Sequence, residues 1–296
     1  MEERLKVFEE HRAKVCKKAN TMLLIGIISI VAGFALILYT GVPAFILLVI
    51  AAIILFVISS SMKSKLSAQF KNEFIIQLVK DTYPNCVYDP QGGINLEDML
   101  RAGFFKNPDR YNVEDYISTS YNDVPFEMCD FDFKERHVTR DSKGNTRVTY
   151  ETYAKGRFMI FDFKREFNEI VKIAETTYLG LNARGLEKVE TESIEFNKKF
   201  KVYTSNAVTA FYILTPQIQL KILELESKFK GSLFLSYMAG KLYVAIVDSV
   251  SILDVNASKK VSVETLKMLE SQLLVPASII NELGLSTTKF TSGDAI

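Results

Sequence analysis

The chain has 296 residues, 48% hydrophobic and 24% charged, with 36 basic against 35 acidic side chains and a formal net charge of +1. That length exceeds one typical domain, and the near-neutral balance argues against a polyanion-binding protein, whose footprint is a basic patch or a raised pI. Cys16, Cys86 and Cys129 are widely spaced, form no CxxC pair and suggest no disulfide framework, which fits a reducing compartment.

The N-terminal stretch EERLKVFEEHRAKVCKK places Leu5, Phe8, Arg12 and Val15 at helical spacing. It predicts a charged helical extension of the segment that follows, with a surface-lying amphipathic helix as the other reading. No charge occurs between Ala19 and Met62. Within that run Met22–Tyr39 and Ala44–Ser61 each approach the roughly 20 apolar residues that cross a bilayer. Thr40–Pro43 (TGVP) separates them: Gly41 ends a helix easily and Pro43 suits the first turn of the next. Two spans in a tight hairpin are expected. A cleaved signal peptide does not fit, because a second apolar run follows at once and the leading segment is long and mixed in charge. Arg4, Lys6, Arg12, Lys14, Lys17 and Lys18 precede the first span, and Lys63, Lys65 and Lys71 follow the second. The turn carries no basic residue, so both termini are expected on the cytoplasmic side. Gly26 and Gly33 lie seven apart, which is not a GxxxG dimerisation motif.

After the second span Leu66, Phe70, Phe74, Ile75, Leu78 and Val79 keep a helical period that Tyr83-Pro84 ends. Asn95 is placed to cap a short helix in NLEDML. DVPFEMCDFDFKERHVTR and TRVTYETYAKGRFMIFDF alternate apolar and polar residues around a DSKGN turn, predicting a long antiparallel hairpin. FKVYT is a strand. Thr215-Pro216 supplies an N-cap and a first-turn proline for a helix through QIQLKILELESKF, with Ile218, Leu220, Ile222, Leu223 and Leu225 as its apolar face. SLFLSYMAGKLYVAIV is a second hairpin turning at Ala239-Gly240. A helix from about Ser262 to Leu273 closes the fold, and TTKFTSGDAI reads as a loose tail.

Catalytic chemistry finds little support. The two histidines are His11, in the N-terminal arm, and His137, at a strand end, which leaves a triad short of partners. No zinc spacing, phosphate-binding glycine loop or dinucleotide fingerprint occurs. In CDFDF, Asp130 and Asp132 share a strand face, and FDF recurs around Asp162. Those three carboxylates could converge on a divalent cation, against the plainer reading of a solvated polar face neutralised by Lys134, Lys164 and Arg165. Cys86 and Cys129 read as packed thiols.

GRFMIFDFKREF, LEKVETESIEFNKKFKVYTSNAVTAFYILTPQIQLKILELESKF and LFLSYMAGKLYVAIV, over roughly residues 156–247, resemble the bacterial domain-of-unknown-function family 3137. DRYNVEDYISTSYNDVPFE upstream fits the same pattern. The resemblance implies two membrane spans ahead of the domain and no established activity or catalytic residues. It also implies neighbours among small membrane-anchored proteins of the LemA type, and so a shared membrane assembly. Asn168-Glu169 departs from the lysine-glycine turn common at that place.

The expectation is therefore an α+β protein. It has a cytoplasmic arm (1–21), a transmembrane helical hairpin (22–61), a juxtamembrane helix (62–84), a cytoplasmic domain of antiparallel hairpins packed on helices (85–285) and a flexible tail (286–296). Inner-membrane location, no cofactor, no nucleic acid and no enzymatic activity are expected. The domain is expected to bind a membrane-associated protein partner through tyrosines, which are enriched at binding surfaces: Tyr111, Tyr116, Tyr121, Tyr203 and Tyr212. A membrane-proximal sensor of a small ligand or lipid headgroup is the alternative, and a metal-dependent hydrolase using Asp130, Asp132 and Asp162 a third reading.

Overall fold

A computed structural model describes residues 2–41, 43, 46–140, 144–163, 168–177, 180–251, 253, 259–287 and 290. The chain divides into two compact units, Met1–Asp81 with Leu253–Ser271 and Thr82–Ile252 with Gln272–Ile296.

In the first unit α1 runs unbroken from Glu2–Thr40 and α2 from Ile46–Phe70. Both are long and apolar enough to cross a membrane, and their apolar side chains from Leu24 to Leu38 and from Ile46 to Ile58 point largely outward. A surface of that kind suits lipid and not water. Small residues let the two helices approach: Ser59 Oγ donates to Ala19 O at 3.0 Å, and a Cβ on Gly26 would lie 3.4 Å from Ala52 O. Gly26 thus serves a contact inside the hairpin. The N-terminal arm continues α1, with Leu5 and Phe8 buried. Phe8 meets Phe70 at 5.4 Å and Phe74 at 5.5 Å, so the arm's apolar stripe is spent on the continuation of α2 and not on a bilayer surface. That continuation passes through a π-helical turn, Lys71–Ile75, into α3, Ile76–Thr82. Glu9 Oε1 takes both Arg12 Nε and the backbone N–H of Val261, each at 2.8 Å.

The second unit is a nine-stranded sheet in the order β1-β2-β3-β4-β9-β8-β5-β7-β6. The strands are β1 Val87–Asp89, β2 Arg110–Tyr121, β3 Val124–Arg140, β4 Thr146–Asp162, β5 Val171–Glu175, β6 Glu187–Val189, β7 Phe200–Thr204, β8 Ser232–Met238 and β9 Lys241–Val247. Every neighbouring pair is antiparallel. Side chains alternate faces. One face carries Cys129, Phe131, Phe133, Phe158, Ile160, Phe234 and Tyr243 against Met99, Phe104 and Phe105 from and after α4, Leu96–Arg101. Asn95 caps α4 by accepting from Glu97 N at 3.0 Å. The other face carries Phe126, Met128, Met159 and Phe161, with Tyr83 against Phe126 at 5.4 Å and Phe290 against Tyr237 at 6.2 Å. The β8–β9 hairpin turns at Ala239-Gly240, both at positive φ, as a two-residue loop requires. Three short helices follow strands or cover edges: α5 Ile194–Lys199, α6 Ala207–Ile213 and α7 Pro216–Ser227. α8 is Val263–Leu273 and α9 is Val275–Leu283, and Lys221 of α7 pairs with Glu282 of α9 at 2.9 Å.

The long hairpin, the β8–β9 hairpin, the FKVYT strand and the capped NLEDML helix stand where the sequence places them; the DSKGN turn falls partly on 141–143, outside the described residues. Other readings change. The tyrosine-bearing DRYNVEDYISTSY is a full strand, β2, interrupted by a bulge between Glu114 and Ile117 where Asp115 takes φ 60°. Thr215 occupies the N-cap position of α7 without a side-chain capping bond. Leu220, read as core, is exposed, while Ile222 and Leu225 are buried. Of the tail, Phe290 is buried against Phe163 at 5.2 Å, and residues 291–296 lie outside the described set.

Candidate functional site

The three carboxylates singled out as a possible cation site do not come together. β3–β4 register sets Asp130 opposite Arg157 and Asp132 opposite Lys155, whereas Phe161 pairs with Phe126. Asp162 therefore lies five residues from Arg157 along β4 and on the opposite sheet face from Asp130 and Asp132. Asp162 is bound to Lys241 at 2.8 Å, and Asp132 accepts from Thr152 Oγ1 at 2.8 Å and meets Lys134 at 3.3 Å. Asp130 is buried, so its face is not the solvated one expected. Among the described residues no group of three or more His, Cys, Asp or Glu side chains is placed to hold a metal ion.

The tyrosines are likewise dispersed. On β2, Tyr111 opposes Phe133 and is exposed, and Tyr116 is half-buried on the same face against the aromatic core, where burial raises its phenol above the ordinary value. The Asp115 bulge puts Tyr121 on the other face, beside Asn281, whose Nδ2 donates to its hydroxyl at 3.5 Å. Tyr203 sits on β7 opposite Lys172 and Lys188. Tyr212 lies on α6 and is exposed.

Around Tyr212 the structure assembles a site. α6 turns Thr209, Ala210 and Ile213 inward and leaves Val208 (71%), Phe211 (47%) and Tyr212 exposed. Those three fall at i, i+3 and i+4, one face of the helix. Next to it lies a cleft of about 310 Å³ lined by Glu190, Thr191, Glu192, Phe211, Leu214, Pro216 and Gln219. The loop that carries the glutamates is clamped by Asn197: its Oδ1 accepts from Thr191 N at 3.0 Å and Thr191 Oγ1 at 2.9 Å, and its Nδ2 donates to Thr191 O at 2.6 Å. The floor is fixed by Gln219, buried, whose Nε2 donates to Leu214 O at 2.8 Å. Glu190 pairs with Lys188 at 2.9 Å; Glu192 and Glu195 make no ion pair among the described residues. The result is an apolar surface with a fixed, acid-rimmed hollow. Tyr203 and Tyr212 hinted at this region, but Glu192 and Phe211 carried no sequence signal beyond their exposure.

The cysteines offer no reactive centre. All three are free thiols. Cys129 is fully buried on β3, and burial pushes its thiol up to about 12. A brief maleimide exposure of the native protein should add one label, at the part-exposed Cys86, leaving Cys129 unmodified until the sheet unfolds. Intact-mass spectrometry with peptide mapping reads this directly, and early labelling of Cys129 would contradict the packing described.

These features define an α+β protein carried with a helical hairpin long and apolar enough to cross a membrane. Residues 152–285 match the family described as "Protein of unknown function (DUF3137)", so that segment of the chain is similar to it. No curated protein matches the chain. A solved structure titled "crystal structure of the mycobacterial trehalose monomycolate transport factor A, TtfA" is similar at 9% identity, over 67% of this chain and 92% of that one, with a TM-score of 0.38. That likeness is too low to carry either fold or function across.

Proposed function

We propose that this is a non-enzymatic integral membrane protein whose domain (85–285) binds a protein partner in a membrane-associated assembly. In this reading residues 22–61 anchor it in the plasma membrane with both termini on the cytoplasmic side, and 62–84 tethers the domain. The observation that carries the reading is the α6 face, Val208, Phe211 and Tyr212, left exposed beside a fixed cleft inside the family-matched segment. Burial of such anchors is what drives association. The rim charge selects the occupant: Glu190 and Glu192 favour a segment that presents an apolar side chain flanked by lysine or arginine.

A photo-crosslinking residue at Phe211 of the full-length protein in native membranes tests this. One recurring adduct, absent when the probe sits at Val87 on the β1 edge, which is more exposed than Phe211, is the expected outcome. Phe211→Glu should then reduce recovery of the same partner on the order of tenfold or more while leaving thermal unfolding unchanged. Adducts to lipid alone, or none above the Val87 control, would overturn the partner reading.

A further inference from the structure

The β3–β4 hairpin is longer than the sheet that supports it. β2 pairs with β3 as far as Lys134, and β9 pairs with β4 between Arg157 and Asp162. Beyond these limits Glu135–Arg140 and Thr146–Glu151 have, among the described residues, only each other as strand neighbours, an arm of about 20 Å at about 3.3 Å per residue. A two-stranded ribbon standing alone in water is marginal, yet this one keeps an exposed aliphatic pair, Val138 (50%) opposite Val148 (42%).

Its two faces differ in charge. Opposed residues share a face, so Arg136, Arg140, Val138, Val148 and Tyr150 lie on one side. Lys134 continues that face at the arm's base, and the guanidinium of Arg110 stacks on the Tyr150 ring at 3.6 Å. Lys134 is met by Asp132; Asp109 accepts from the backbone N–H of Arg136 at 2.8 Å and Arg140 Nε donates to Gly144 O at 3.4 Å, but neither guanidinium has a carboxylate partner among the described residues. Glu135, Glu151 and His137 are on the reverse side, with His137 Nε2 3.1 Å from Glu135 and 3.7 Å from Glu151. The two acids thus lie on one face, with Arg147 opposite Thr139 beside them, while Arg136 and Arg140 stand on the other around two branched aliphatic side chains, with no acid from the arm's own strands on that face.

We propose that this basic-aliphatic face docks on the anionic surface of a lipid bilayer, Val138 and Val148 entering the headgroup boundary while Arg136 and Arg140 meet phosphates. Arginine matches phosphate oxygens in a two-pronged geometry. The aliphatic pair has no role toward free phosphate or a nucleic-acid backbone, whereas an interfacial element uses both kinds of contact. Weak intrinsic affinity suffices, because a chain already held at a membrane by two apolar helices presents the arm at high effective concentration. The arm's docking is independent of the α6 surface and of any partner bound there.

The test uses the full-length protein in nanodiscs of phosphatidylcholine alone or with phosphatidylglycerol. An environment-sensitive fluorophore is attached at Val138→Cys in a Cys86→Ser background, with Ile194→Cys as a reference site. The expected result is a blue shift and quenching by lipid-borne spin labels at 138, only in the phosphatidylglycerol discs and reversed by high salt. Arg136→Glu with Arg140→Glu should lower the docked fraction at least tenfold, since each basic group near an anionic surface strengthens binding roughly fivefold. Unchanged circular dichroism secures that the variants are folded. Equal emission and no quenching in both compositions would overturn the proposal. So would displacement by millimolar inorganic phosphate, which would make the site one for a soluble anion, or a signal at 138 that tracks protein concentration, which would assign the arm to a second copy.

Discussion

Arg157→Ala should produce the largest loss of stability of any single substitution in the sheet. Arg157 is 2% exposed in the middle of β4. Its Nη2 donates to Asp248 at 2.5 Å and its Nη1 to Gln272 Oε1 at 2.6 Å, with the Phe229 ring 5.6 Å from the guanidinium carbon. Asp248 is itself 6% exposed at its side chain. Removing the arginine leaves a carboxylate in a site that water scarcely reaches, and breaking one side of a buried pair costs about 3–5 kcal/mol. Replacing both partners with apolar groups of similar shape, Arg157→Met with Asp248→Leu, should return most of that loss, because the uncompensated charge then disappears. Native-state hydrogen exchange on β4 and β9 is the suitable measurement: protection should fall about a hundredfold or more in Arg157→Ala and recover in the double variant. A loss in the double variant as large as in the single one would show that packing, and not the stranded charge, sets the cost.

The second large effect is expected at Gly156. This residue sits on β4 with a strand on each side, opposite Phe131 of β3 and one position before the Arg157–Ile246 pair with β9. A Cβ there would collide with the backbone carbonyl of Ile246 and lie 3.1 Å from Val247 Cα. The obstacle is main chain and cannot rotate away, so Gly156→Ala must push β9 off β4. Forcing atoms into a filled interior costs about 1–3 kcal/mol and more when backbone has to move, which places this substitution at about 3 kcal/mol. Gly231→Ala should behave alike, since its Cβ would strike Val247 O and Asp248 Cα. Gly185→Ala is the contrast: nothing lies within 4 Å, and only its φ of +78° opposes the change, at roughly 1–2 kcal/mol. Thermal unfolding of the three variants side by side should rank Gly156 and Gly231 well below Gly185. The two crowded glycines serve one end: they bring the C-terminal end of β9 close enough for Asp248 to reach Arg157.

What the sequence disclosed follows from how each segment meets its surroundings. The spans were legible because lipid-facing helices are apolar all round, and β3 with β4 because polar and apolar residues alternate over two long strands. β5 was missed because its five residues are all buried, yet Lys172 and Glu175 interrupt the apolar run. Their polar ends are satisfied locally, Lys172 Nζ by Asn182 O at 3.0 Å and Glu175 by the Leu233 N–H at 2.9 Å. β2 escaped because the Asp115 bulge shifts its alternation midway. α6 escaped for a more informative reason: its small residues face the core and its large apolar ones face out, the reverse of the usual stripe. That inversion hid the helix from periodicity and made its outer face a candidate surface. The Arg157–Asp248 pair joins residues 91 apart in the chain, and no local pattern announces it.

α1, at 39 residues, is about 58 Å long at 1.5 Å per residue, close to twice the roughly 30 Å hydrocarbon layer. Its first twenty or so residues extend the span by roughly 30 Å, and Phe8, Phe70 and Phe74 interlock it there with the continuation of α2. These ring contacts stiffen the extension by tying it to a second helix. A thinner bilayer makes spanning helices lean, and a stiff lever turns each degree of lean into about 0.5 Å of sideways travel at its tip. In a hairpin that spans a bilayer, a change of bilayer thickness would therefore arrive at the far end as sideways displacement.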